Sequence, residues 1–428
     1  MTATLDQLLR TLFKTALEAV SAESRMVSHL PPPVPGRTLV VGAGKAAAAM
    51  ARAVEQQWRG DIAGLVVVPY GHDVACDSIT VIEAAHPVPD DAGQAAAGRI
   101  MAMAAALSEG DQLLALMSGG GSALLALPAS GVTLAHKQAL SRALLRSGAT
   151  ISEINTVRKH LSAIKGGRLA RAAHPARIVT LAISDIPGDD PALIASGPTL
   201  PDQTTVTDAL ETLSRYNLTL PPEIAAWLAD PAAETPKPGD PGFEGDRVTI
   251  VARARDALDG AAAAARQAGY QVDCLGDAIE GEASTVGAAH AALALTPASN
   301  PGRLPLVLLS GGETTVTVTG NSGSGGRNTE YLLALGLALD GHPGISAIAC
   351  DTDGIDGNSD AAGAILRPDS LARARALGLD PARMLHDHDS ASLFGALGDL
   401  VKTGPTLTNV NDFRAILIGA GSKSAVNL

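Results

Sequence analysis

Short uninterrupted apolar runs recur along this chain, and most lead into a glycine turn and then an Ala/Leu-rich stretch of helical length. Thr38 to Val41 reads as a strand, Gly42 to Lys45 as its turn and Ala46 to Gln57 as its helix. Leu65 to Val68, Leu113 to Met117, Ile178 to Ile183, Arg247 to Val251, Leu306 to Leu309 and Ile345 to Cys350 repeat the strand signal. Gln94 to Leu107, and a stretch from about Ala257, have helical spacing, whereas Thr314 to Thr319 alternates as a half-buried strand does. Runs that are apolar on both faces belong in sheets covered on both sides. The predicted fold class is α/β: two Rossmann-like domains, each a mainly parallel sheet flanked by helices, with a ligand cleft between them.

Leu5, Leu8, Leu9, Leu12, Phe13 and Ala16 recur at helical spacing with Asp6, Arg10, Lys14 and Glu18 between them. That is an amphipathic helix rather than the apolar core of a signal peptide. No run reaches about 18 apolar residues, the length of a membrane span, so no membrane partner is expected and the cytoplasm is the expected location. Pro231, Pro236, Pro238, Gly239, Pro241 and Gly242 interrupt regular structure. They predict an amino-terminal domain over 1–230, a linker over 231–246 and a carboxy-terminal domain over 247–428.

Composition narrows the function. A chain of 428 residues exceeds one ordinary core. With aromatics at 2% and hydrophobics at 46%, Ala, Val, Leu and Ile must fill the cores. The net charge of −12 repels phosphate backbones and excludes nucleic acid as an expected partner. Anionic small molecules remain admissible at a local positive site. Cys76, Cys274 and Cys350 have no C-x-x-C spacing and give neither a disulfide framework nor a zinc site.

Gly42-Ala43-Gly44-Lys45-Ala46-Ala47 fits the G-x-G-x-x-A dinucleotide fingerprint. That reading also needs an acidic residue roughly 20 positions on to hold the ribose. The next strand ends Val68-Pro69-Tyr70, with no acid in place. Lys45 instead puts a cation near a helix start, where the macrodipole opposes it unless an anion is bound. Ser118-Gly119-Gly120-Gly121-Ser122 can form a nest of backbone amides for phosphate or carboxylate. Arg158 and Lys165 lie seven apart, on one face if the helix continues, with Arg168 three further.

Asp185 and Asp189 follow a strand, and Ser196 closes their loop; carboxylates there can hold Mg²⁺ or accept a hydroxyl proton. A second Ser-Gly-Gly, ending in Gly312, precedes Glu313. The loop from Ser322 to Glu330 carries Arg327 and Asn328 at a helix start, where a guanidinium suits bidentate anion recognition. Asp351 to Asp360 is not an EF-hand, because Asp356 and Ala362 stand at its glycine and glutamate positions. Four carboxylates so close call for a positive partner.

Together these segments resemble one family. Val40 to Lys45, Met117 to Ser122, Asn155 to Ser162, Ser184 to Asp189, Ser196 to Thr199, Ser310 to Glu313, Gly325 to Glu330 and Asp351 to Asp356 look like the class II glycerate kinases. Those pair an amino-terminal glycerate kinase domain with a carboxy-terminal MOFRL domain. Some members bear the older label hydroxypyruvate reductase. The resemblance implies ATP-dependent, Mg²⁺-requiring phosphorylation of D-glycerate, usually to 2-phosphoglycerate, with Lys45 and Arg327 matching active-site groups.

On that basis Lys45 neutralises the transferred phosphoryl or holds the substrate carboxylate, and Asp189 is the expected base. Gly44, the 118–122 turn, Arg158, Lys165, Ser196, Gly312, Glu313 and Asn328 are expected to bind substrate or phosphate. Asp185, Asp351 and Asp353 are expected to bind Mg²⁺. ATP and glycerate are the expected ligands, and a homodimer is allowed. Two rivals stand beside this: an NAD(P)H-dependent hydroxypyruvate reductase and a non-catalytic sugar-acid or nucleotide-binding regulator.

Overall fold

The apolar runs of the amino-terminal half form β1 (Thr38–Ala43), β2 (Ile62–Pro69), β3 (Ile79–Ala84), β4 (Gln112–Met117), β5 (Arg177–Ile183) and β6 (Arg247–Ala252). This computed structural model describes residues 2–299, 301–318, 320 and 323–419. The strand order is β3-β2-β1-β4-β5-β6. β1 runs parallel to β2 and β4, β2 to β3, and β4 to β5. β1 and β4 are buried throughout, which is why their sequences are continuously apolar. The helices Ala47–Gln57 and Asp91–Ala105 pack on the sheet. Alanines fill much of that contact, as the scarcity of aromatics required.

The other sheet is built from β7 (Gln271–Gly276), β9 (Leu306–Gly312), β11 (Ile345–Asp351), β12 (Gly363–Leu366), β13 (Leu400–Val401) and β14 (Asp412–Ile418). Its order is β13-β12-β11-β14-β9-β7. Short β8 (Gly281–Glu282) and β10 (Thr314–Thr315) pair separately. The predicted mainly parallel arrangement holds for the first sheet and is corrected for this one. β11 runs antiparallel to β12 and β14, β14 to β9, and β12 to β13, while β7 and β9 are parallel. An apolar run reports burial on both faces, and strand direction leaves no mark on it. The strand predicted over Thr314 to Thr319 stops at Thr315, and Thr319 lies outside the described residues.

The predicted boundaries 1–230, 231–246 and 247–428 also need correction. One unit is Ala22–Val251; the other joins the chain before Ala22 to the chain from Ala252 onward. The first helix, Thr2–Ala19, packs on helix Ala254–Gln267 of its own unit. The approach is close: a Cβ on Gly260 would stand 2.7 Å from that of Ala19. Leu9, Leu12 and Ala16 are fully buried, and the rings of Phe13 and Phe413 lie 5.7 Å apart. Arg367 Nε donates to Asp6 at 2.9 Å. The amphipathic pattern showed that this helix needs a surface, but held no sign of which one.

The prolines of 231–246 shape an ordered strap. They start the 3-10 turns Pro231–Ala233 and Pro241–Phe243. Arg168 Nη2 donates to the carbonyls of Ala232 and Ala233 at 3.1 and 2.8 Å, and His174 meets Asp246 at 3.1 Å. The strap then delivers β6 to the first sheet. Leu12→Ala should destabilise the unit containing helix Thr2–Ala19 by about 2–5 kcal/mol, the range for a buried leucine truncation. Denaturant unfolding with an unchanged midpoint would show that the helix is only loosely attached.

Candidate active site

In the parallel sheet the strand order reverses between β1 and β4. Chain connections leave these neighbours in opposite directions, so a crevice opens at their carboxyl ends. β1 runs into Gly44-Lys45 and β4 into Ser118-Gly119-Gly120. The two turns are locked together. Gly44 has φ +132°, and a Cβ there would lie 2.2 Å from Ser118 Oγ and 2.5 Å from its carbonyl oxygen. Lys45 N donates to Gly119 O at 2.8 Å, Ala46 N to Ser118 Oγ at 3.0 Å, and Ser118 N to Ala43 O at 3.1 Å. Helix Ala47–Gln57 begins one residue later than the sequence pattern predicts, and Lys45 stays in the turn before it.

These bonds bear on the fingerprint. Gly44 N donates to Val67 O, so the amides of Gly44, Lys45 and Ala46 are all engaged within the protein. In a dinucleotide fold this turn would present its backbone to the pyrophosphate. The 118–122 turn differs: the bonds it makes use the amides of Ser118 and Gly121. Gly120 has φ +81°, and a Cβ there would meet His86 Nε2 at 3.0 Å and Lys45 Cγ at 3.6 Å. The glycine therefore lets the turn, the lysine stem and His86 share one small space.

A second layer holds this turn from below. Ser122 and Ser196 share a hydroxyl–hydroxyl bond of 2.8 Å, and Lys165 Nζ donates to Ser122 Oγ at 2.8 Å and to its carbonyl. Lys165 is buried, and that burial, with Lys137 and Arg158 nearby, holds its ammonium well below the usual lysine range. Ala195 and Ser196 take left-handed φ of +52° and +61°, and Asp189 takes +56°. Such strain in non-glycine residues persists only where the surroundings fix it. Helix Ile151–His160 ends before Lys165, so the shared helical face expected for Arg158 and Lys165 is not formed. The two nevertheless line one cavity.

In the other unit the antiparallel register brings the acids together. Asp412, at the start of β14, stands opposite both Gly312 and Asp351. Arg327 opens helix Arg327–Leu339 and donates to three carboxylates: Nε to Asp412 at 2.7 Å, Nη1 to Glu313 and Nη2 to Asp351, both at 2.8 Å. Burial works against its charge, but Asp412, Asp351 and Glu313 outweigh it and raise its pKa. The cation that opposes the helix dipole is thus answered by acids of its own unit. Asn328 Nδ2 also donates to Asp412 at 2.7 Å. Asp356 accepts from the amides of Asn328 and Thr329, both at 2.9 Å, and so caps this helix.

Asp353 N donates to Asp351 at 3.0 Å, and Ile355 N to Asp353 at 2.8 Å. Ser322, at the start of the predicted loop, lies outside the described residues. Gly44, Lys45, Ser118 to Ser122, Lys165 and Ser196 therefore gather in one unit, with Asp185 and Asp189 following β5. Gly312, Glu313, Arg327, Asn328, Asp351 and Asp353 gather in the other. Asp412 and Lys137 were missed, and Asp356 was noted only as one of four close carboxylates. For Asp412 a signal existed: with Arg414 it charges an otherwise apolar strand, and Arg414 Nη2 donates to it at 2.5 Å.

A parallel sheet with glycine turns and a lysine at its switch point, joined to a unit rich in strand-end carboxylates, is the build of a two-domain α/β kinase. Known proteins agree. The family described as a domain of unknown function, DUF4147, matches residues 8–229, and the MOFRL family matches residues 306–412. A D-glycerate 2-kinase of Thermotoga maritima is 38% identical over 412 residues, 95% of this chain and 97% of that one. An Agrobacterium vitis protein bearing the provisional label hydroxypyruvate reductase is 53% identical, over 96% of this chain and 94% of its own. The crystal structure of a Thermotoga maritima glycerate kinase superposes with a TM-score of 0.88 at 37% identity, covering 97% of this chain and 100% of that one. The chain belongs to the class II glycerate kinase family.

Gly44→Ala should cost at least about 1–3 kcal/mol in chemical denaturation, the range for forced backbone strain. Wild-type stability in that variant would show that the Gly44–Ser118 approach is slack. Asp412→Asn, which leaves Arg327 and Arg414 short of a buried counter-charge, should cost about 3–5 kcal/mol. A loss under about 1 kcal/mol would mark these bonds as solvent-screened.

Proposed function

We infer that this protein transfers the terminal phosphoryl group of ATP to a hydroxyl of D-glycerate, giving 2-phosphoglycerate. The observation that carries the reading is the switch point of the parallel sheet, where Lys45 stands beside the Ser118-Gly119-Gly120 turn. The transition state of phosphoryl transfer spreads negative charge over several oxygens, so fixed cations and amide dipoles do most of the catalysis. Lys45 neutralises the moving phosphoryl or holds the glycerate carboxylate. The amides of Gly119, Gly120 and Ser122 bind anionic oxygens. Ser118, Ser196 and Gly44 act through the position they give these groups.

Asp189 is the proposed base for the substrate hydroxyl, and its left-handed backbone supports that role. Arg327 has five N–H donors and gives three to carboxylates. It holds Glu313 and Asp351 in place and keeps two donors for an anion. Gly312, whose φ is +115°, shapes this end of β9, and Asn328 steadies Asp412.

Among the described residues no group of three or more His, Cys, Asp or Glu stands ready for a metal ion. Mg²⁺ commonly takes one or two carboxylates and completes its shell with phosphate oxygens and water. Asp185 in one unit and Asp353 in the other each suit that pattern singly; Asp351 suits it less, because Arg327 already occupies Oδ2. Bound there, Mg²⁺ would neutralise charge on the nucleotide phosphates.

The reductase label of the Agrobacterium vitis relative is the one observation favouring hydride chemistry. The engaged amides of the first glycine turn speak against it. A coupled assay with ATP, Mg²⁺ and D-glycerate should show turnover, and phosphorus spectroscopy of the product should show a 2-phosphate. NADH oxidation with hydroxypyruvate, without ATP, would overturn the reading. Lys45→Met should lower kcat/KM by about 10²–10³, as for loss of one transition-state donor, with an unchanged circular dichroism spectrum. Near-normal turnover would remove Lys45 from the chemistry.

A further inference from the structure

Behind the 118–122 turn lies a cavity of about 220 Å³. It is bounded by helix Leu134–Arg146, helix Ile151–His160 and the segment that follows His86. Four cations line it: Lys137, Arg142, Arg158 and Lys165. No Asp or Glu is among its lining residues, although the chain as a whole is acidic. Pro87, Pro89 and Leu134 give it an apolar flank. Lys165 is bound to Ser122, and Arg158 Nε donates to Ser141 at 3.3 Å. Lys137 is only 9% exposed, yet its Nζ has no hydrogen-bond partner.

Burying an ammonium without a partner is unfavourable by several kcal/mol. Folding alone gives no reason to collect three further cations around it, since like charges raise that penalty. A bound anion removes both objections. We propose that this cavity is a binding site for a small organic or inorganic anion, whose carboxylate or phosphate is held by Lys137, Arg158 and Lys165 and whose carbon atoms lie on the proline–leucine flank. A cavity of about 150 Å³ takes a benzene ring, so this one admits a three-carbon acid or inorganic phosphate. The site is built by this unit's own residues; it shares Ser122 with the turn proposed for phosphoryl transfer, and what sets it apart is Lys137, which that reading does not use.

Lys137 gives the site a proton signature. Burial, then the neighbouring Arg158 and Arg168, lowers its pKa to about 7. The groups facing it are Arg142 on its own helix, Arg158, Arg168 and Lys165, itself lowered by burial, and none of them is acidic. Above that pH the empty site holds a largely neutral amine, and an arriving anion restores the charge. Binding at pH 8 therefore takes up protons and weakens as pH rises.

Isothermal titration calorimetry of the full chain without ATP tests this, with inorganic phosphate and D-glycerate as separate probes. We expect at least one probe to bind at pH 8 with proton uptake, read from two buffers of different ionisation heat. Lys137→Met should weaken that binding at least about tenfold, as for one charge-assisted bond, and reduce the uptake, leaving only the share that Lys165 takes. The variant should melt no lower than wild type, because it removes an unpartnered buried charge. Lys45→Met should keep the Lys137-dependent binding even where it abolishes turnover, which separates this site from the proposed reaction; loss of the binding in that variant overturns the proposal. Phosphate binding alone marks an inorganic or ester ligand; glycerate binding marks the carboxylate. Absence of binding by both probes, or Lys137→Met binding as wild type does, overturns the proposal.

Discussion

Everything at the candidate site of the first unit depends on how closely two strand-end turns approach. Gly44 and Ser118 touch where no side chain could intervene, and the amides of Lys45 and Ala46 close the gap. The parallel register of β1 with β4 sets this distance before any ligand arrives. Lys45 is then presented by backbone geometry that leaves little freedom, and the 118–122 turn keeps its remaining amides available. The fold thus converts a sheet-pairing constraint into fixed positive potential.

The second unit reaches a similar end with opposite charges. Antiparallel pairing places Asp412 beside Gly312 and Asp351, and Arg327 joins three acids into one network. A cation at a helix start and a row of strand-end carboxylates are each unfavourable alone. Together they neutralise one another, and Asp356 satisfies the helix amides that Arg327 cannot. The first unit concentrates cations at its candidate site and the second acids at the ends of its strands.

The sequence carried these features unevenly. Gly44, Lys45 and Ser118 to Ser122 were visible because glycines directly after a buried strand mark a tight turn, where two backbones can approach closely. Arg327 was visible because a cation at a helix start is unusual. Lys137 was not, since one lysine on an amphipathic helix looks like a solvated residue until packing buries it. Asp412 escaped because its importance comes from register with β9 and β11, both far back in the chain. Strand direction in the second sheet and the home of helix Thr2–Ala19 escaped for the same reason: both are set by partners remote in the chain.

That helix also has a consequence for how the molecule is made. The first unit is an insertion: it leaves the second unit at Ala22 and returns at Val251, and Arg25 Nε bonds the carbonyl of Val251 at 2.6 Å, so its two ends meet. On a ribosome adding about 5–20 residues per second, the partner helix Ala254–Gln267 follows roughly 10–50 s after helix Thr2–Ala19. Throughout that interval Leu9, Leu12 and Phe13 have no native surface to cover them. The nascent chain must complete one whole unit while an apolar helix made earlier stays uncovered, an opening for chaperones and for aggregation that the finished fold no longer displays.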